Sequence, residues 1–128
     1  MGPMTSLRSN LECLITKNTR ATAYPLKAIG TGSISADAPG VSVLEVGVFN
    51  NRPRLRVYIY TGVDIDGDKA TEGLATASIE IVQYLKTIVA FPGGNSDTAF
   101  GLQQVGKRQV YAATVDVVTD IDGLESCD

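Results

Sequence analysis

The residues with the most chemical potential in this chain fall in two short rows. Asp64, Asp66 and Asp68 alternate through Asp64-Ile65-Asp66-Gly67-Asp68, and hard divalent cations take several carboxylate oxygens from tight, glycine-containing turns of this kind. The match to a helix–loop–helix calcium loop is poor, because glycine belongs at the sixth place and glutamate at the twelfth, where Lys69 and Ala75 stand. A solvated acidic turn at the positive end of a helix accounts for the same residues. In the second row, Arg52, Arg54, Arg56, Tyr58 and Tyr60 combine planar cations with phenols, the types enriched in buried interface contacts. A half-exposed sheet face carries such residues as well.

Beyond these rows the means of catalysis are missing. Histidine is absent, which removes the commonest general base near neutral pH, the Ser-His and Cys-His nucleophile pairs and the commonest metal ligand. Paired-carboxylate catalysis needs two acids set in a cleft, and no spacing marks such a pair. Gly30-Thr31-Gly32 lacks the lysine of a phosphate loop and reads as a turn, and Gly93-Gly94 reads as a helix stop. The expectation is a binding protein, not an enzyme, with no metal and no cofactor.

The elements that must carry these rows are legible from periodicity. Leu7, Leu11, Leu14 and Ile15 fall on one face of a helix, with Ser6 as its cap. From Thr19 to Pro39 the pattern dissolves into a long connection with room for a short strand. Val41 to Phe49 is rich in β-branched residues, and Arg54 to Tyr60 alternates Leu55, Val57 and Ile59 with arginine and tyrosine. Asn50, Asn51, Arg52 and Pro53 separate these runs, and Asn-Asn tolerates the left-handed conformation, so an antiparallel hairpin follows. Leu74, Ala77, Ile81, Leu85 and Ile88 predict the main helix over Lys69 to Val89, capped by Asp68 and stopped by Pro92, Gly93 and Gly94. Phe100–Val105 and Gln109–Thr119 read as a second hairpin around Gly106-Lys107-Arg108. The order helix, hairpin, helix, hairpin implies a two-layer α+β sandwich: a mainly antiparallel four-stranded sheet covered by two helices.

A chain of 128 residues suits one domain, expected over 1–128 with 1–5 and 120–128 as flexible tails. Gly2-Pro3-Met4 reads as an added leader, with the natural chain expected from Met4. Eleven basic against fourteen acidic residues leave a net charge of −3, too little basic density for a general nucleic-acid grip. No apolar run approaches the roughly twenty residues needed to span a bilayer. Cys13 and Cys127 sit near opposite ends, so a bridge would require both termini to meet in an oxidising compartment, and free thiols are the expectation.

The N-terminal helix ending at Ile15, the hairpin of Val41–Phe49 with Arg54–Tyr60, the long helix Thr71–Val89 and the closing strand from Gln109 through Val117 together resemble the tail-terminator, or tail-completion, proteins of tailed bacteriophages. The resemblance rests on element order and length from about Leu7 to Thr119. It implies a small non-catalytic virion protein of the tail or neck, assembled in the host cytoplasm. Such a protein forms a ring, commonly of six subunits, that caps the tail tube and meets tube, sheath or head-connector proteins. DNA passes through the ring only as the travelling genome. A mildly acidic lumen would repel phosphates, which assigns Asp64, Asp66 and Asp68 to the channel and leaves Arg52, Arg54, Arg56, Tyr58 and Tyr60 as interface residues. Two alternatives stand beside it: another neck or baseplate protein, and a ferredoxin-like small-molecule or regulatory domain acting as a dimer.

Overall fold

A computed structural model of the chain describes residues 3–23, 39–62, 67–105 and 108–127. Its first element, α1 (Pro3–Asn18), starts on a proline, whose missing N–H is not needed in the first turn. Ser6 therefore lies inside the helix and does not cap it. The last turn closes on its own side chains: Asn18 Nδ2 donates to the Leu14 carbonyl at 2.8 Å, and Thr19 Oγ1 to the Ile15 carbonyl at 2.7 Å.

The strand β1 (Thr22–Ala23) pairs in parallel with the start of β2 (Gly40–Phe49), which forms an antiparallel hairpin with β3 (Arg52–Gly62). Asn50 and Asn51 take φ of 50° and 64°, the two left-handed positions of a type I′ turn, whose twist matches that of the strands it joins. Only these two residues make the turn. Arg52 and Pro53, expected to belong to it, open β3. Proline is tolerated there because Pro53 faces Val48 in a pair whose N–H points away from β2, and the ladder to the next strand begins only at Arg54.

Helix α2 (Gly67–Leu85) takes in Asp68 as its second residue, so that residue is not the cap, and ends four residues short of Val89. The cause is a competing partner for the backbone. Ala90 exchanges both its hydrogen bonds with Val118, at 3.0 and 2.9 Å, and the chain must leave the helix to reach it. Pro92–Gly94 follow as a separate 3-10 turn, with Gly93 and Gly94 at φ 67° and 75°, and do not themselves stop the helix. Then β4 (Phe100–Val105) and β5 (Arg108–Val118) form the second hairpin, giving the sheet order β1-β2-β3-β5-β4.

Both helices pack on one side of this sheet, α1 against β2 and α2 against β3 and β5. Leu7, Leu11, Ile15, Leu74, Ala77, Ile81 and Leu85 from the helices meet Val41, Val43, Leu55, Val57, Ile59, Ala113, Val115 and Val117 from the sheet. The period of two in β3 and β5 thus resolves as aliphatic toward the helices and arginine, tyrosine and aspartate away from them. In β2 the alternation breaks at Val46, an extra residue between Glu45 (opposite Leu55) and Gly47 (opposite Arg54).

Beyond β5 the chain does not trail away. Residues 119–127 cross to α1, where Asn10 holds them from both ends of its amide: Nδ2 donates to the Glu125 carbonyl at 2.6 Å and Oδ1 accepts from the Cys127 amide at 2.8 Å. Lys17 Nζ donates to the Cys127 carbonyl, and Cys13 and Cys127 are joined in a disulfide with their Cα atoms 6.0 Å apart. The expectation of free thiols is corrected. Cysteines 114 residues apart in sequence become neighbours because the segment after β5 returns across the first helix.

Candidate functional site

The sheet face turned away from the helices carries the arginine–tyrosine row. Arg56 stands directly opposite Asp116 across the β3–β5 ladder, and Arg54 reaches the same carboxylate on the diagonal. Arg56 Nε donates to Asp116 Oδ1 at 2.7 Å and its Nη2 to Oδ2 at 3.2 Å, while Arg54 Nε donates to Oδ2 at 2.9 Å. Two guanidinium groups on one carboxylate leave a local excess of one positive charge. The Arg56 hydrogen bonds, with those of Arg54 behind them, hold the Asp116 carboxyl below the usual carboxylate range against the opposing effect of burial. Asp116 in turn raises the Arg56 pKa, with a smaller contribution from Tyr58.

Further along β3, Tyr58 and Tyr60 stack with ring centroids 5.9 Å apart and planes inclined by 3°. Tyr60 lies between Gly40 of β2 and Ala112 of β5, two small neighbours that leave room for a phenol. It is wholly buried, its hydroxyl has no hydrogen-bond partner among the described residues, and this desolvation pushes the phenol pKa well up.

Arg52 does not join this group. It lines a cleft of about 300 Å³ at the far end of α2, with Lys86, Thr119 and Asp120. The five residues read as one row therefore divide into an ion cluster, an aromatic stack and a separate cation. Arg54, Arg56 and Asp116 line an open cleft of about 280 Å³ with Asn95 and Asp97. Its charges balance, two against two.

Of the acidic row, Asp64 and Asp66 lie outside the described residues, and Asp68 sits in the first turn of α2. Among the described residues no group of three histidine, cysteine or acidic side chains is arranged to hold a metal ion, and no helix is long and apolar enough to cross a membrane.

The chain matches no protein-family model and no curated protein. What it can do must be read from its own surfaces.

Two of these surfaces escaped the reading of residue types, and both are sheet edges. In β4, the last strand on its side, Phe100 and Leu102 are 43% and 57% exposed. The strand bears no charge and no proline, the residues that usually discourage another strand from adding. At the opposite edge, β1 covers only Gly40 and Val41 of β2. Val43 is then blocked by α1: Arg8 Nη1 donates to its carbonyl at 3.0 Å and Glu12 Oε2 accepts from its amide at 3.2 Å. Past that plug β2 is uncovered among the described residues, and Val48 at the hairpin tip is 73% exposed. Alternating hydrophobicity identifies strands but not which of them end a sheet, so neither edge was visible beforehand.

Proposed function

We propose that this chain is a non-catalytic assembly subunit that joins head to tail with copies of itself into a closed ring, acting as the tail terminator of a tailed phage. The observation that carries the reading is the pair of unlike edges at opposite ends of one sheet, β4 without a charged residue and β2 with Glu45 as its one charge. A heterologous ring needs two such surfaces, whereas a two-fold dimer needs one self-complementary patch.

Strand directions support a junction between them. Because β2, β3, β5 and β4 alternate in direction, a neighbouring copy in the same orientation brings its β2 antiparallel to β4 of the first. Side-chain faces agree as well. Val48 pairs with Pro53, Phe100 with Ala113 and Leu102 with Tyr111, all on the helix side of the sheet, so one joint covers three exposed apolar side chains. Phe100 is level with Val41 through Ala113 and Ile59. Matching it to Val48 of the neighbour offsets the copies by about 20 Å over four strand spacings totalling about 19 Å, an inclination of roughly 45°, near that of strands in closed barrels.

The phage role itself comes from the resemblance in element order, with six subunits as the implied count and tube, sheath or head-connector proteins as partners. On this reading Asp64, Asp66 and Asp68 repel the passing genome from the channel wall, and changing all three to lysine should impair genome delivery; unchanged delivery and assembly would remove them from that role. The rival ferredoxin-like dimer is less well supported, since that fold runs βαββαβ and the described elements run αβββαββ.

Light scattering on a sizing column across a wide concentration range, with negative-stain imaging, tests the ring. Closed rings of about six subunits, lost in both Val48→Lys and Leu102→Lys, are expected. A stable dimer indifferent to both substitutions would overturn the proposal.

A further inference from the structure

The segment after β5 is attached to the fold in an unusual way. It carries no strand or helix over 119–127, and the buried core cluster draws all its members from α1, α2, the strands and Ala21, with Leu124 packed only at its margin. Among its described contacts, the Asn10 clamp, the Lys17 contact and the Cys13–Cys127 bond tie the segment to α1. Beneath it lies a groove of about 390 Å³, walled by Leu14 and Asn18 of α1, Tyr84 of α2 with Ile88 just beyond it, and Leu124 and Glu125 of the segment itself.

We propose that the Cys13–Cys127 disulfide is a redox latch, whose reduction by a dithiol frees residues 120–127 and opens the groove between α1 and the end of α2 while the sandwich stays folded. The geometry assigns the direction of attack. Cys13 is exposed and Cys127 buried, so the thiolate of the reductant attacks Cys13 Sγ, and Cys127 departs as the thiolate and takes a proton. The second thiol of the reductant then attacks its own sulfur in the mixed disulfide and releases Cys13. Two electrons and two protons pass to the pair, and the dithiol closes to its own disulfide. The remaining polar contacts of Asn10 and Lys17 are exposed or only part-buried, so the segment loses its hold. Removal of Leu124 and Glu125 exposes Leu14, Tyr84 and Ile88, an apolar strip flanked by the Asn18 amide. This inference does not depend on ring formation.

Hydrogen–deuterium exchange on the full chain, with and without dithiothreitol and with the thiol state read by intact mass, provides the test. Reduction should raise exchange over 120–127 by tenfold or more, toward that of a free chain, while Leu55–Ile59 and Val110–Val117 remain the strongly protected amides, their exchange faster only in line with the fall in global stability. The Cys127→Ser variant should match the reduced protein without any reductant. Retained protection of 120–127 after complete reduction would overturn the proposal, and so would loss of protection throughout the sheet, which would make the bond a staple of the whole fold.

Discussion

Replacing Tyr60 by phenylalanine is expected to stabilise the domain, against the usual direction of core substitutions. Tyr60 is wholly buried and its hydroxyl has no hydrogen-bond partner among the described residues. Burying such a group without compensation costs about 1–3 kcal/mol. Phenylalanine removes that cost and keeps the ring stacked on Tyr58, at the expense of a small void, so a net gain of about 1 kcal/mol is expected. For a chain of this length that corresponds to about 4 °C in Tm. The gain should also depend on pH. A folded-state pKa raised above the unfolded value of about 10 gives stability that is complete below pH 10 and lost as pH rises through the folded value. At pH 10.5 the wild type therefore forfeits about 0.8 kcal/mol more through Tyr60 than the variant does. Urea unfolding at pH 7 and pH 10.5 reads both quantities. A variant less stable than wild type by 1 kcal/mol or more at pH 7 would refute the argument, because the hydroxyl would then have a partner worth keeping.

Asp116→Asn should lose about 1–2 kcal/mol at pH 7, because two partly exposed guanidinium groups are left facing each other. The lowered pKa of Asp116 gives stability that is present above the unfolded value near 3.9 and lost as pH falls through the folded one, so the variant should show a shallower acid limb in denaturation. At the hairpin, Asn51→Gly should gain up to about 1 kcal/mol, since φ of 64° suits glycine, while Asn51→Val should lose more than that; thermal melts decide both. Opening the Cys13–Cys127 bond lengthens the free chain by a loop of 114 residues, for which chain entropy sets a ceiling of about 4.8 kcal/mol. Calorimetry with and without reductant should show Tm lower by as much as about 18 °C, and a difference under 2 °C would mean that the bond does not constrain the unfolded chain.

Much of the fold was legible because two periods dominate it. Leu7, Leu11, Leu14 and Ile15 at helical spacing, and Leu55, Val57 and Ile59 at spacing two, each leave one plausible face for the core, and each is buried there. Boundaries failed where a distant partner competed with local preference. Helix α2 continues in pattern to Ile88 and Val89, but the two bonds between Ala90 and Val118 are made across the sheet, and no local signal announces them. The disulfide was illegible for the same reason: whether Cys127 reaches Cys13 depends on where the segment after β5 goes, and that is decided by an asparagine on the other side of the fold.

The arginine row shows how far alternation carries and where it stops. A period of two assigns Arg54, Arg56, Tyr58 and Tyr60 to one side of β3, but the partner of each depends on the register between strands some sixty residues apart. Slipping β5 by two residues would keep every aliphatic side chain on the helix side, so hydrophobic pattern alone does not choose among such registers. The polar face does discriminate between them. In one direction the slip would put Asp116 opposite Tyr58, remove it from Arg54 and set Val118 against Arg56, stranding cations on a half-buried sheet. In the observed register one carboxylate serves both guanidinium groups and Ala112 leaves space beside Tyr60. The residues that look most like a binding site in the sequence thus already have a task inside the fold, selecting the alignment of β3 and β5. Among the described residues the edges at Phe100, Leu102 and Val48 expose apolar side chains without an internal task, and on the proposed reading it is there that a partner copy would have something to gain.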